Sequence, residues 1–429
     1  MDTSGGSGLS GRRQLGLIAL LSANFGIVFF DRNGINFLMP FIQSDLKLNN
    51  FQIGLIASGT SFTWALAAFS MGILSDRLGS RKTLLVCSTL AFSLCSWCSG
   101  LTHIFATLFA IRLLMGLMEG GVLPISHALV AGQVSSRWRG LAQGVTQNLG
   151  ANLFGSFLAP ILLVAIASAY GWRASFFVSG LPGLVTALLM WWAIGEPTAE
   201  RGPAQESLRG AATAAQAILN RNVMICALIS ILLSAYLVTG FVFLPLFLSK
   251  IRGYAPSEMA LLIGLQGLSA AVGSFCIPSL SDRFGRRPVM VLAPLAGVVV
   301  PLAAIFYSGP TYVLAMIFCL GWGCVVSTFS LFMATVPSES VEPARAATVC
   351  GFCIGAGEIF GGVCTPVLAG AGADSFGLTV PLWIMAAATI LAGALAIGLR
   401  ETGPRCAAQR LQKGNRLRCA PLRVHVPPE

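Results

Sequence analysis

Five ionisable residues stand inside long apolar stretches of the chain: Asp31, Arg32, Arg112, Glu119 and Glu358. At the centre of a membrane-spanning helix each ionised side chain costs about 2.5 to 3.5 kcal/mol, so a fold that keeps five of them pairs them or uses them. Arg112 and Glu119 are seven residues apart, nearly two helical turns, which sets them on one face about 10 Å apart along the axis. Asp31 and Arg32 are adjacent, hence about 100° apart around a helix, so one can face an opening while the other turns to a neighbouring helix. The chemistry open to such groups is anion binding and proton uptake. A guanidinium offers a two-pronged donor to a carboxylate, and a carboxyl group carries or releases a proton. Trp64, Gln147, Asn148 and Tyr236, also within apolar stretches, can add stacking or hydrogen bonds to a solute, since ligand sites need a few placed polar groups. An enzyme would need a nucleophile with its base, or a metal constellation, and neither is evident. Cys95/Cys98 and Cys350/Cys353 have CxxC spacing but lie in apolar stretches without His or a second pair at metal spacing. No metal and no cofactor is expected.

The elements that must hold these groups follow from composition. Of 429 residues, 55% are hydrophobic and 10% charged, against roughly a quarter charged in a soluble domain, which excludes a soluble enzyme. Apolar runs without period-two alternation exclude an outer-membrane barrel. Spans of about 20 or more residues are predicted near 15–42, 51–75, 83–100, 104–130, 141–168, 175–195, 222–248, 257–280, 288–307, 311–336, 346–371 and 378–399. The fold class is an all-α membrane protein with twelve transmembrane helices. The first span follows Arg12 and Arg13 and has no small-residue cleavage site, so it is read as retained rather than as a signal peptide.

The net charge of +11 is explained by position. Of 27 Lys and Arg, 21 fall on the side of the termini and four (Lys47, Arg173, Lys250, Arg252) on the other, with two inside spans. This is the positive-inside pattern: it places both termini and the central loop in the cytoplasm and leaves no case for nucleic acid.

A repeat runs through the chain at an offset of 206 residues. Asp76, Arg77, Gly79 and Arg81 match Asp282, Arg283, Gly285 and Arg287, Gly155 and Pro160 match Gly361 and Pro366, and Gly171 matches Gly377. Two six-helix bundles in the same orientation are implied, with a cavity between them near the midplane. The expected organisation is an N-terminal bundle at 1–195, a cytoplasmic central loop at 196–221, a C-terminal bundle at 222–399 and a disordered basic tail at 400–429. The repeat also acts as a control. The counterparts of Asp31, Arg32, Arg112 and Glu119 are Leu237, Val238, Phe318 and Val325, so closing a six-helix bundle does not require those charges. Glu358 is the reverse case, with Asn152 as counterpart, in a Gly-rich run that allows close helix approach.

GILSDRLGSRK at Gly72 to Lys82, and SLSDRFGRR at Ser279 to Arg287, resemble the loop motif of the major facilitator superfamily. The second copy departs from it, with Pro278 where Gly72 stands. FFDRNGINFLMPFI at Phe29 to Ile42, RLLMGLMEGGVLP at Arg112 to Pro124 and GWRASFFVSGLPG at Gly171 to Gly183 resemble its anion:cation symporter branch. GQVSSRWRG at Gly132 to Gly140 departs from the Trp-Phe-Pro run often found there. The resemblance implies that Arg32 holds the substrate carboxylate, that Asp31 and Glu119 take the coupling proton, and that Arg112 tunes them. Glu358 joins the proton-coupling group as a candidate. Asp76, Arg77, Arg81, Asp282, Arg283 and Arg287 would gate the cytoplasmic side through charge-assisted bonds. The expected function is proton-coupled uptake of a small organic anion, a carboxylate or sugar acid, by alternating access. The carrier is expected as a monomer in the plasma membrane, the inner one in a bacterium, with protons, the anion and lipid as its partners. The alternatives are weaker. A drug/proton antiporter should carry a Gly-Pro motif in the fifth helix, where Gly155 is followed by Ser156. An organophosphate/phosphate exchanger should carry a basic residue in the seventh, and Asn222 to Ser249 has none.

Overall fold

Helices satisfy their own backbone hydrogen bonds, the condition for crossing lipid, and the apolar runs of this chain fold as helices throughout. The structure, a computed structural model, describes residues 11–78, 80–134, 142–143, 145–195, 216–342 and 345–403. The long helices are α1 (Gly11–Leu46), α2 (Asn50–Leu78), α3 (Arg81–Gly100), α4 (Phe105–Val130), α5 (Val145–Tyr170) and α6 (Trp172–Ala193). They are followed by α7 (Arg221–Lys250), α8 (Pro256–Phe284), α9 (Arg286–Phe306), α10 (Thr311–Glu339), α11 (Thr348–Phe376) and α12 (Thr379–Ala396). Among the described residues, eleven of these are long and apolar enough to cross a membrane. The other, α2, has 29 residues, about 43 Å at 1.5 Å per residue. Its length suffices to cross the bilayer. Most of the expected central loop and basic tail, 196–215 and 404–429, lies outside the described residues.

The two bundles repeat one another in detail. α5 and α6 meet at Gly171 (φ +85°), and α11 and α12 meet at Gly377 (φ +93°), 206 residues on. Both backbones take the left-handed turn that glycine adopts without Cβ strain. Wide i→i+5 helical turns occupy Ala151–Leu158 of α5 and Gly357–Cys364 of α11, again at that offset. In each bundle a glycine lets this widened stretch touch the bundle's first helix: Gly155 lies against Phe29 of α1, and Gly361 against Ile231, Ser234 and Ala235 of α7. A side chain at either place would have to displace backbone.

The bundles meet along seams that start at the end of the molecule where α1 finishes. Gly54 of α2 abuts Pro366 of α11, and Gly370 of α11 abuts Asn50 and Phe51. The related seam sets Gly264 and Gly267 of α8 against Phe157 and Ser156 of α5. Phe37 of α1 meets Phe241 of α7 edge-on, with ring centroids 6.2 Å apart. Ser156 and Gly267 lie near the middles of their helices, so the close contacts run from that end to about halfway. Towards the other end, a Cβ added at Gly351 or Gly355 of α11 would meet nothing within 4 Å.

Candidate functional site

The adjacent pair on α1 divides as its spacing dictates. Asp31 turns into its own bundle and is fully buried, with Oδ1 accepting from Ser96 Oγ of α3 and Ser179 Oγ of α6, both at 2.6 Å. Its Oδ2 has no partner. Arg32, one residue on, is half-buried. Its guanidinium stacks 4.9 Å from the Trp64 ring and 5.8 Å from that of Phe29, and one Nη donates to Ser61 Oγ at 3.4 Å. Aromatic faces attract a cation through their quadrupole but accept none of its in-plane hydrogen bonds. Arg32 is thus held by cation–π contacts with donors to spare.

α4 brings the second pair. Gly116 and Gly120 let it lie directly on the α2 backbone at Thr60 to Ala68, which carries Arg112 and Glu119 into the N-terminal bundle with no solvent exposure. Arg112 sits 4.8 Å from the Phe176 ring of α6, and one Nη contacts Met115 Sδ at 3.0 Å. Its Nε and the other Nη have no partner among the described residues, and neither does either oxygen of Glu119. Among the described residues, no ion pair joins Asp31, Arg32, Arg112 or Glu119 to any group, although Glu119 feels the charges of Arg32, Asp31 and Arg112. Four ionisable groups close enough to sense one another, none neutralised by direct pairing, is costly for a buried site.

Glu358 reaches the same region from the other bundle. It is half-buried and shares a face of α11 with Gly351, Gly355 and Gly362, at intervals of three or four residues. Beyond Gly351 and Gly355 there is open space.

The remaining candidates scatter. Trp64 backs Arg32, with its own Nε1 buried and unpartnered. Tyr236 is fully buried among C-terminal helices, 5.4 Å from the Trp322 ring, and its hydroxyl donates to Gly297 O at 3.4 Å. Gln147 is exposed on α5, and the side chains of Asn148, Asp76 and Arg77 lie outside the described residues. Arg81 begins α3, in the turn after α2.

In the second copy of the loop motif, the ion-pairing residue is Arg286. Arg287, which the repeat aligns with Arg81, has an exposed side chain, as does Arg283. Arg286 is 7% exposed and reaches Asp282 at 2.6 Å and Glu339 of α10 at 2.9 Å, with a further bond to Ser281 Oγ at 2.6 Å. Glu401, just past α12, accepts from the backbone N–H of Arg286 at 2.7 Å and of Arg287 at 3.0 Å. Burial alone would raise its pKa. Bonds from the N–H groups of Gly403, Arg286, Arg287 and Thr402 outweigh that and hold the carboxyl below the usual glutamate range. Four segments of the C-terminal bundle are thereby tied at one corner. The alignment that favoured Arg287 hid this, because Arg286 falls opposite Ser80.

At the opposite end, Asp374 of α11 accepts from the N–H of Asn50 (2.9 Å), Asn50 Nδ2 (2.8 Å) and the N–H of Phe51 (2.8 Å). A carboxylate from one bundle thus caps the first turn of α2 in the other, where the helix presents free N–H groups and the positive end of its dipole. No sequence motif pointed to it. A cavity of about 790 Å³ lined by Leu261, Leu265, Tyr312 and Met316 lies between α8 and α10, apart from all of these charges.

Comparison with known proteins agrees with this architecture. Residues 21–355 match the model of the Major Facilitator Superfamily. The chain is 28% identical over 346 residues to a probable 4-methylmuconolactone transporter of Cupriavidus pinatubonensis, covering 77% of this chain and 79% of that protein. To the hexuronate transporter of Bacillus subtilis it is 35% identical over 174 residues, 41% of this chain and 40% of that one. The crystal structure of the nucleoside transporter NupG superposes with a TM-score of 0.72 at 16% identity, over 89% of this chain and 97% of that one.

Proposed function

The chain belongs to the Major Facilitator Superfamily, a family of multi-pass membrane transporters, and from that premise we propose that it takes up a small organic anion together with protons, by alternating access. Arg32 holds the carboxylate of the substrate. Its guanidinium is immobilised by Trp64 and Phe29 with in-plane donors left over, the arrangement that suits two-pronged carboxylate recognition. The relatives named for a lactone acid and for hexuronates suit the same substrate class.

The observation that carries the reading is Glu119. A carboxyl with both oxygens buried and unpartnered, in the field of two guanidinium groups, is in balance only when its ionisation follows what occupies the site. In this mechanism an arriving anion occupies Arg32 and removes the positive field that favours ionised Glu119, so Glu119 takes up a proton. Asp31, braced by two serine hydroxyls, and Arg112 set the local field in which that exchange occurs. Loaded with both or with neither, the site keeps the same net charge. Loaded with one, it does not.

In this reading the seams at the Asp374 end are closed and the other end, where Gly351 and Gly355 border open space, is the open one. With the termini cytoplasmic, as the distribution of Lys and Arg implies, this is the state that exchanges substrate with the cytoplasm. In a bacterium the carrier works in the inner membrane. The deciding experiment reconstitutes the protein in liposomes and offers a panel of labelled carboxylates with and without a pH gradient. The wild type concentrates a carboxylate only with the gradient. Glu119→Gln loses uphill accumulation and keeps substrate exchange. Accumulation that persists in Glu119→Gln removes the proton assignment, and expulsion of substrate by the inward proton gradient would identify an antiporter instead.

A further inference from the structure

We propose that Glu358 is a specificity determinant of the C-terminal bundle: it selects monocarboxylates that carry a hydroxyl donor at their far end and rejects dicarboxylates. The proposal rests on the organic-anion reading above and deepens it.

Of the five ionisable residues within spans, Asp31, Arg112 and Glu119 have no exposure, whereas Arg32 and Glu358 are both partly exposed. The charges left partly exposed are therefore one cation from α1 and one carboxylate from α11. Arg32 is the charge that Glu358 senses, yet the two form no ion pair and Glu358 has no hydrogen-bond partner among the described residues. The α11 backbone leaves it little freedom to withdraw. Gly357 and Gly361 are pressed against Ser230, Ile231 and Ser234 of α7, and Glu358 lies between them at the start of the widened helical stretch, a deformation that recurs at functional sites. Gly351 and Gly355 on its own face border open space, so a solute can approach the carboxylate from that side without meeting another side chain of α11.

A solute between these walls meets a donor at one end and an acceptor at the other. A carboxylate binds Arg32, and a hydroxyl at the distal end donates to Glu358. A second carboxylate in that place would face Glu358 directly, and like-charge juxtaposition is strongly unfavourable away from water. The repeat supports a solute-directed role, since the counterpart Asn152 lies in the same widened stretch of α5 without a charge.

The test uses full-length protein in liposomes and compares substrates matched in chain length: gluconate with glucarate, 4-hydroxybutyrate with succinate, and 5-hydroxypentanoate with glutarate. Each pair differs only in a hydroxymethyl or a carboxylate at the far end. In the wild type the hydroxy acid of the transported pair competes at least about tenfold better than its dicarboxylate. Glu358→Gln brings the two within about threefold, raises KM for the hydroxy acid, and still supports uphill uptake driven by a proton gradient. Glu358→Asp, which keeps the charge, keeps the preference. Should the Gln protein fail to assemble, Glu358→Ser must level the pair in the same way. Equal competition in the wild type, an unchanged ratio in the neutral variants, or loss of uphill uptake in Glu358→Gln each overturns the assignment, the last by making Glu358 a proton site. If the wild type takes a carboxylate of the wider panel but no member of any pair, the specificity assigned to Glu358 falls, and if it takes no carboxylate at all the organic-anion reading falls.

Discussion

At the residue scale, the division of labour between Asp31 and Arg32 follows from two neighbouring positions on a helix. Asp31 is satisfied on one oxygen by its own bundle, and Arg32 is held over aromatic rings with donors unspent. Replacing Arg32 by Lys should keep the charge and lose the fork. Hydrogen bonds to charged groups contribute about 1.5 to 3 kcal/mol, so KM for the carboxylate should rise roughly tenfold or more, measured by initial uptake rates at graded substrate. An unchanged KM would mean that the anion is bound elsewhere. That these residues are unusual was legible in the sequence, because charge in an apolar run is costly and the second bundle has Leu237 and Val238 at the equivalent positions. Their partners were not. Ser96, Ser179 and Phe176 come from helices far along the chain, and no local pattern marks a serine that will meet a carboxylate 65 or 148 residues away. Arg286 was hidden for a different reason, since aligning two copies of a motif assumes that the same position does the same work.

At the element scale, the helices were readable from hydropathy and their ends from Gly, Pro and charge, while the widened turns in α5 and α11 were not. Wide turns arise from packing between helices, and the glycines that permit them look like any others in a Gly-rich chain. The corner where α8, α9, α10 and the segment after α12 meet offers a test at this scale. Glu401 is held below its ordinary range, so it adds stability that is fully present above the usual glutamate value of about 4.3 and is lost as pH falls through its lowered folded value. Glu401→Gln should lower the melting temperature of detergent-solubilised protein at neutral pH. It should also flatten the decline between about pH 5 and the acid limit, so that wild type and variant converge in acid. Parallel curves would show that the carboxyl contributes nothing to holding that corner.

At the scale of the whole molecule, twelve helices in two bundles were legible because a repeat and a charge asymmetry are long-range signals written along the chain. Which end is closed was not legible, because one sequence must build both the closed and the open state. The clasp of Asp374 on the first turn of α2 has to break for the closed end to open, and Asp374→Asn removes its charge while keeping one acceptor. With charge-assisted bonds contributing about 1.5 to 3 kcal/mol, the population open at that end should grow about tenfold or more. Spin labels on the α1–α2 and α11–α12 turns of a cysteine-free variant would report it as a longer distance, and an unaltered distribution would leave the seam glycines as the sole lock. The five charges within the bilayer have an electrical consequence as well. A one-to-one load of monoanion and proton adds nothing to their sum, so a voltage imposed in either direction should leave uptake of a monovalent acid unmoved. A divalent acid carried with a single proton would generate a current.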